Sequence, residues 1–255
     1  MTSAFAERRR ARWPWVVLVI VLVLAALVVA AEFIARSVVP STVRSLVIDN
    51  LDLPADQQLD VQVPGMMLPQ LIAGTLGEVR LASDEVTVGG ISGSARVTAT
   101  DVPVSGGALG AAKGTVSIDQ DEFSLLLDSA QLPVTRIALS APNATVEGEV
   151  ELFGRQIPVG ITVTPGAEDG DLLLTPVSLS LNGMDVDLDA VSGMIGSAGD
   201  TITQPQRVCI ADRLPEGITL TGLRIEGTRA VADISADGRI TVDQNLLENG
   251  TCPRS

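Results

Sequence analysis

From Trp15 to Ala31 the chain runs for 17 residues without a charge, and Arg8, Arg9, Arg10 and Arg12 stand just before that run. With Trp13, Pro14, Phe33, Ile34 and Ala35 the stretch is long enough for a hydrocarbon core about 30 Å thick, even with Glu32 near its outer end. Arginines on the N-terminal side predict a tail that stays in the cytoplasm and an exported remainder. The expected division is residues 1–12 as a basic cytoplasmic tail, 13–35 as a transmembrane signal anchor and 36–255 as an extracytoplasmic domain. A cleaved signal peptide is the competing reading, with Val28-Val29-Ala30 or Ala30-Ala31 as its small-residue site. The run is long for such a peptide, and an uncleaved anchor is preferred.

Composition then removes whole classes of function. The chain has 17 basic and 31 acidic residues, a net charge of −14, and four of the arginines sit in the tail. So acidic a domain repels nucleic acid and anionic head groups at long range, which sets nucleic-acid binding aside. Any meeting with lipid must come from apolar burial. There is no His and no Tyr, so the commonest general base and transition-metal ligand are missing. Beyond the middle of the anchor the aromatics are Phe33, Phe123 and Phe153, too few to build the flat platforms of a sugar-binding groove.

Cys209 and Cys252 are the two cysteines. In an oxidising compartment an isolated pair reads as a disulfide, here stabilising by about 3–4 kcal/mol.

The exported part reads mostly as strand. Ala35–Asn50 predicts an amphipathic helix that Pro40 interrupts or restarts. After a polar connection over 49–60, Val61–Gly77 predicts a short strand, a turn, and a helix with Pro69 in its first turn and Gly77 at its end. On that helix Leu68, Leu71, Ile72 and Leu76 form one apolar stripe, as suited to a packed core as to a ligand wall. Strands are expected over Val79–Val88 and Ile91–Val104, broken by Gly89-Gly90, and over 146–152, where Glu147, Glu149 and Glu151 alternate outward. A brief helix is expected over Asp121–Gln131, and a small helix or glycine-broken loop over Val191–Ala198. Asn182-Gly183 predicts a type I′ hairpin that pairs Leu181 with Met184, Leu179 with Val186, and Val177 with Leu188. Ile218–Ile225 and Arg229–Ile234 are expected as the last strands, and Asp243–Glu248 as a final helical turn. About ten strands with no βαβ alternation predict an α+β, β-rich fold: a curved antiparallel sheet with a few covering helices around an apolar groove.

Chemistry-bearing constellations are weak. Asp185-x-Asp187-x-Asp189 places three carboxylates on one strand face, spread over roughly 13 Å. One ion cannot take all three, so a solvated face is expected and no metal. Lys113 is the sole lysine, in a Gly-Ala-Ala-Lys-Gly context without phosphate-loop spacing. No cofactor and no catalysis are expected. An apolar cavity for acyl chains, each buried CH₂ contributing about 0.8 kcal/mol, stands beside the alternative of an ordinary packed core.

Two segments carry a family likeness: Val63-Pro64-Gly65-Met66-Met67-Leu68-Pro69-Gln70-Leu71-Ile72-Ala73-Gly74-Thr75-Leu76 and Leu214-Pro215-Glu216-Gly217-Ile218. Together with the anchor and the glycine-punctuated strands, they resemble the LmeA-like phospholipid-binding family of actinobacterial cell-envelope proteins. Relatives often place Phe after the first glycine, where Met66-Met67 stands here. The resemblance implies a tubular lipid-binding-like fold and phospholipid binding outside the plasma membrane, in support of envelope lipid or lipoglycan assembly. It implies a cavity wall of Met66, Met67, Leu68, Leu71, Ile72 and Leu76. The expected partners are a phospholipid or related envelope lipid, the plasma membrane through the anchor, and an envelope biosynthetic enzyme as candidate protein partner. The alternative is a structural adaptor for such an enzyme, with a filled core and an acidic interaction face. A glycan-active enzyme, which needs two facing carboxylates in a cleft, is the third reading.

Overall fold

The computed structural model describes residues 13–50, 58–88, 91–122, 134–152, 155–186 and 204–253. Helix α1 (Trp13–Asn50) is continuous over 38 residues with Pro40 inside it. The short strand β1 (Asp60–Gln62) follows, then helix α2 (Met67–Ala73). Within α1, Leu18–Ser45 is the one stretch among the described residues long and apolar enough to cross a membrane.

The expected break at Pro40 does not occur. An internal proline removes one backbone donor, a penalty of about 3 kcal/mol. Here the helix around it is braced from outside. It packs on both β1 and α2, and Arg36 reaches the Gly65 carbonyl at 3.4 Å. Helix α2 has Pro69 in its first turn, as expected, but it stops earlier than Gly77. Gly74 takes the left-handed conformation at φ +75°, and its amide donates to the Gln70 and Leu71 carbonyls. Only glycine adopts that cap without a Cβ penalty. Leu76 therefore lies in a strand and not on the helical stripe.

The β-rich antiparallel architecture is present as two six-stranded sheets, both open among the described residues. The first comprises β1, β2 (Thr75–Val88), β3 (Ile91–Pro103), β4 (Ala111–Asp119), and the closing pair β11 (Ile218–Glu226) and β12 (Arg229–Ala236), in the order β1-β2-β3-β4-β12-β11. The second runs β10 (Gln206–Val208), β8 (Asp171–Leu181), β7 (Arg155–Glu168), β6 (Asn143–Leu152), β5 (Val134–Ser140), with β9 (Met184–Val186) also on β8.

The register sorts side chains by face. Across the first sheet, Leu81, Val97, Gly114, Ile234 and Leu220 form one row, and Ser83, Ala95, Val116, Ala232 and Leu223 the next. A shorter row holds Ile118, Ala230 and Ile225. The other face carries ion pairs: Arg229 with Asp119 at 2.7 Å, Arg80 with Glu78, and Arg224 with both Glu226 and Asp233. Such exposed pairs contribute little to stability; they mark that face as the more polar one, although Val231 between Arg229 and Asp233 is buried on it. The second sheet repeats the division. Ile137, Val146, Ile161, Leu179 and Val186 form one row, Leu139, Ala144, Val163 and Pro176 another. Glu147 and Glu149 are exposed on β6, as the alternation predicts.

The two sheets join along β11. Leu220 bridges Gly170 in the β7–β8 turn, and the Gly227 carbonyl accepts from Ala141 N–H in the β5–β6 turn at 3.1 Å. Both turns lie at the same end of the second sheet, so β11 runs across that end. Ile225 packs there with Ile137 and Leu139, flanked by Ala144, Val146 and Ala230.

The Asn182-Gly183 hairpin forms as expected, with φ of +54° and +78° and the pairs Leu181–Met184 and Leu179–Val186. Leu188, Asp187, Asp189, the segment 191–198 and all of 123–131 lie outside the described residues. The final expected turn is a 3-10 helix, Gln244–Leu247, capped by Asp243. Cys209 and Cys252 are joined, closing a loop of 43 residues.

A second 3-10 helix, Gly238–Thr241, is capped by Asp237, whose carboxyl is held down at about 2 by the Arg239 side chain and then by the Arg239 amide. Gly238 itself is buried, and a Cβ placed on it would come within 2.0 Å of the Leu109 carbonyl oxygen. Gly238→Ala is expected to destabilise the fold by about 3 kcal/mol. Gly183→Ala, which meets nothing within 4 Å but needs positive φ, should cost about 1 kcal/mol. Thermal unfolding of the two variants should show that ordering of midpoints.

Candidate functional site

Glu32 is the only charge between Trp13 and Ala35, and its position is what ties α1 to the rest of the molecule. Its two carboxylate oxygens accept from the amides of Met67 at 2.8 Å and Leu68 at 2.9 Å. Those are the first two residues of α2, whose amides have no partner within their own helix. A carboxylate there also meets the positive end of the peptide dipoles. Arg36, one turn further along α1, closes the arrangement through its Nε at 3.0 Å from Glu32. Met66, the residue in the cap position, supplies no side-chain hydrogen bond to α2; the cap comes from 35 residues away.

Beside this junction lies a groove of about 760 Å³. Val28, Val29, Glu32, Phe33, Arg36 and Ser37 of α1 form one wall, and Met66, Leu68, Pro69 and Ile72 the other. Most of its surface is hydrocarbon, with the Glu32–Arg36 pair at one side.

The residues expected as a cavity wall divide into two sets. Met66, Leu68 and Ile72 line the groove, with Ile72 86% exposed. Met67 is 1% exposed and Leu76 is likewise buried; both are core residues, one at the start of α2 and the other at the start of β2. Leu71 is half-buried and does not line the groove. Val28, Val29 and Phe33 were legible only as anchor residues, because periodicity along one helix does not show what crosses it.

A second apolar surface lies on the sheets. The rows of both sheets face one side, since Ile225 of the first meets Ile137 and Leu139 of the second. Among the described residues only ten apolar side chains are buried, far fewer than a filled two-layer core would hold. Leu81, Val97, Val116, Ile234 and Leu223 are half-buried, as are Val146, Ile161 and Leu179. In the second sheet, exposure grows away from the seam. Ile137, Leu139 and Val163 are buried near it, whereas Met184, at the Asn182-Gly183 end, is 68% exposed. Joined along the seam, these rows form a half-covered trough of branched aliphatic and small side chains, suited to hydrocarbon rather than to a polar ligand.

Chemistry beyond burial is sparse. Lys113 is exposed on β4, and among the described residues no cluster of three or more carboxylates or thiols is arranged for a metal.

Removing the Glu32 carboxylate leaves two amides of α2 without their partner. Glu32→Ala should cost about 1–3 kcal/mol and speed hydrogen exchange across 66–74. Exchange unchanged there would mean that the carboxylate does not cap the helix.

Comparison with known proteins adds the family. A family model described as LmeA-like phospholipid-binding matches residues 30–232, from the end of the apolar run to the middle of β12. No curated protein and no solved structure matches the chain. The match takes in α2, both sheets and the seam between them, and the chain belongs to the LmeA-like phospholipid-binding family.

Proposed function

We propose that this protein is a membrane-anchored phospholipid carrier or holder of the cell envelope, with α1 as its uncleaved anchor, the N-terminus in the cytoplasm and residues 36–255 in the periplasmic space. The observation that carries the reading is the half-covered apolar trough formed by the two sheets in a chain of a phospholipid-binding family. Hydrocarbon laid along it removes apolar surface from water at about 25 cal/mol per Å².

The anchor supports the same reading through distance. At 1.5 Å per residue, about 20 residues from Trp13 bring α1 to Phe33, about 30 Å away and at the outer boundary of a bilayer. The groove of Val28, Val29, Phe33, Leu68 and Ile72 then lies at the level of the outer acyl chains, where a lipid can pass from the leaflet to the protein. Tethering keeps the domain at high effective concentration next to that supply. Without His, Tyr or a second lysine, the domain has little with which to catalyse, and its role is to present lipid for envelope lipid or lipoglycan assembly. An envelope biosynthetic enzyme is the candidate recipient.

Native mass spectrometry of the full chain in mild detergent, followed by lipid extraction, tests the proposal. A stoichiometric phospholipid is expected, reduced several-fold by Val116→Asp and by Ile161→Asp in chains that keep their unfolding midpoint. A lipid-free mass that persists after incubation with phospholipid vesicles would overturn the reading and favour the adaptor.

A further inference from the structure

One end of the first sheet gathers exposed apolar side chains that the trough does not use. β2 begins there at Thr75, β3 ends at Pro103, β4 begins at Ala111 and β12 ends at Ala236. Ile72 sits just before this end, Val104 just after β3, and Val242 between the 3-10 helices Gly238–Thr241 and Gln244–Leu247. They are 86%, 50% and 57% exposed. Hydrogen bonds bring the segments together. Val104 N–H donates to the Gly74 carbonyl at 3.0 Å, Thr241 Oγ1 to the Gly107 carbonyl at 2.7 Å, and Leu109 N–H to the Gly238 carbonyl at 2.8 Å.

We infer that this rim is a second membrane contact, seated in the outer leaflet of the same bilayer that holds α1, so that the first sheet stands end-on to the membrane. The occupant follows from continuity. Ile72 shares the groove with Val28, Val29 and Phe33 of the anchor, and those residues lie at the outer acyl boundary by the helix rise alone. The rim begins at Ile72 and is bonded onward to the Val104 and Val242 segments, so it starts at bilayer level. Charge does not draw it there. Among the exposed charges at this end, Arg239 is paired with Asp237 at 2.8 Å and Asp101 is acidic. The contact is apolar, with little dependence on salt. This inference rests on α1 being the membrane anchor. It adds an orientation: the trough opens sideways above the surface, and the Asn182-Gly183 end of the second sheet is held away from the rim.

The test places spin labels on single added cysteines, Ile72→Cys, Val104→Cys, Val242→Cys and, at the opposite end of the first sheet, Thr228→Cys. Each is made in the full chain, reconstituted into vesicles of phosphatidylethanolamine and phosphatidylglycerol. The ratio of oxygen to nickel-chelate accessibility should be several-fold higher at the three rim positions than at 228, and unchanged in high salt. Rim labels as open to the nickel chelate as position 228 would overturn the inference. The unlabelled chain gives an independent readout: exchange over 103–110 and 238–247 should slow on moving from detergent into vesicles, and equal rates would count against the contact. Phospholipid extracted from the detergent-purified chain reports on lipid binding separately, so aqueous labels with lipid bound sink the end-on contact alone.

Discussion

Ile225 packed against Ile137 and Leu139 is the contact on which the architecture turns. Each sheet has one apolar face and one more polar face, and neither alone would present a long hydrocarbon surface. By laying β11 across the end of the second sheet, the chain brings the two apolar faces onto one side. The seam is well buried, and the second sheet opens away from it toward Met184. Among the described residues, α1 and the seven-residue α2 pack on β1 and β2 and leave most of both sheets without a covering helix. An apolar face left half-bare is unfavourable in water by roughly the area it exposes, and an acyl chain relieves that.

Helix α1 is part of this domain rather than an appendage to it. Glu32 satisfies two amides at the start of α2, and Arg36 holds Glu32 in place while reaching Gly65. A charge near the end of an apolar run has a large desolvation penalty unless it is bonded, and here every near partner is a hydrogen-bond donor. The consequence for function is positional. With α1 as the proposed membrane anchor, these bonds would give the groove between α1 and α2, and the exposed rim next to it, a fixed height relative to the bilayer.

Much of the fold was legible because strand signals are local. The Asn182-Gly183 turn, the alternation over Glu147 and Glu149, and the pair around Gly227 each follow from a period of two and from residues that tolerate positive φ. The C-terminal disulfide followed from two lone cysteines. What failed was set by tertiary contact. Gly74 and Gly77 are equally good helix stops on paper; Gly74 wins, and the Gln70 side chain takes the Gly77 amide at 2.8 Å, which gives Gly77 a separate role. That choice moved Leu76 into β2. Pro40 was read as a break because nothing local shows that α2 and β1 brace the helix there. Glu32 read as a blemish in an anchor, since its partners are 35 and 36 residues away. The division of Met66, Leu68 and Ile72 from Met67 and Leu76 likewise needed the fold, because neighbours in a short turn can face opposite ways.

The central claim is that phospholipid hydrocarbon lies along the joined apolar faces, and photo-crosslinking tests it most directly. The full chain in vesicles would be loaded with a phospholipid bearing a diazirine near the end of one acyl chain, irradiated, digested and mapped by peptide mass spectrometry. The account predicts adducts on β3, β4 and β12 around Val97, Val116 and Ile234, and across the seam on β6 and β7 around Val146 and Ile161. Adducts confined to α1, as any lipid-embedded helix would give, with none on either sheet, would contradict it.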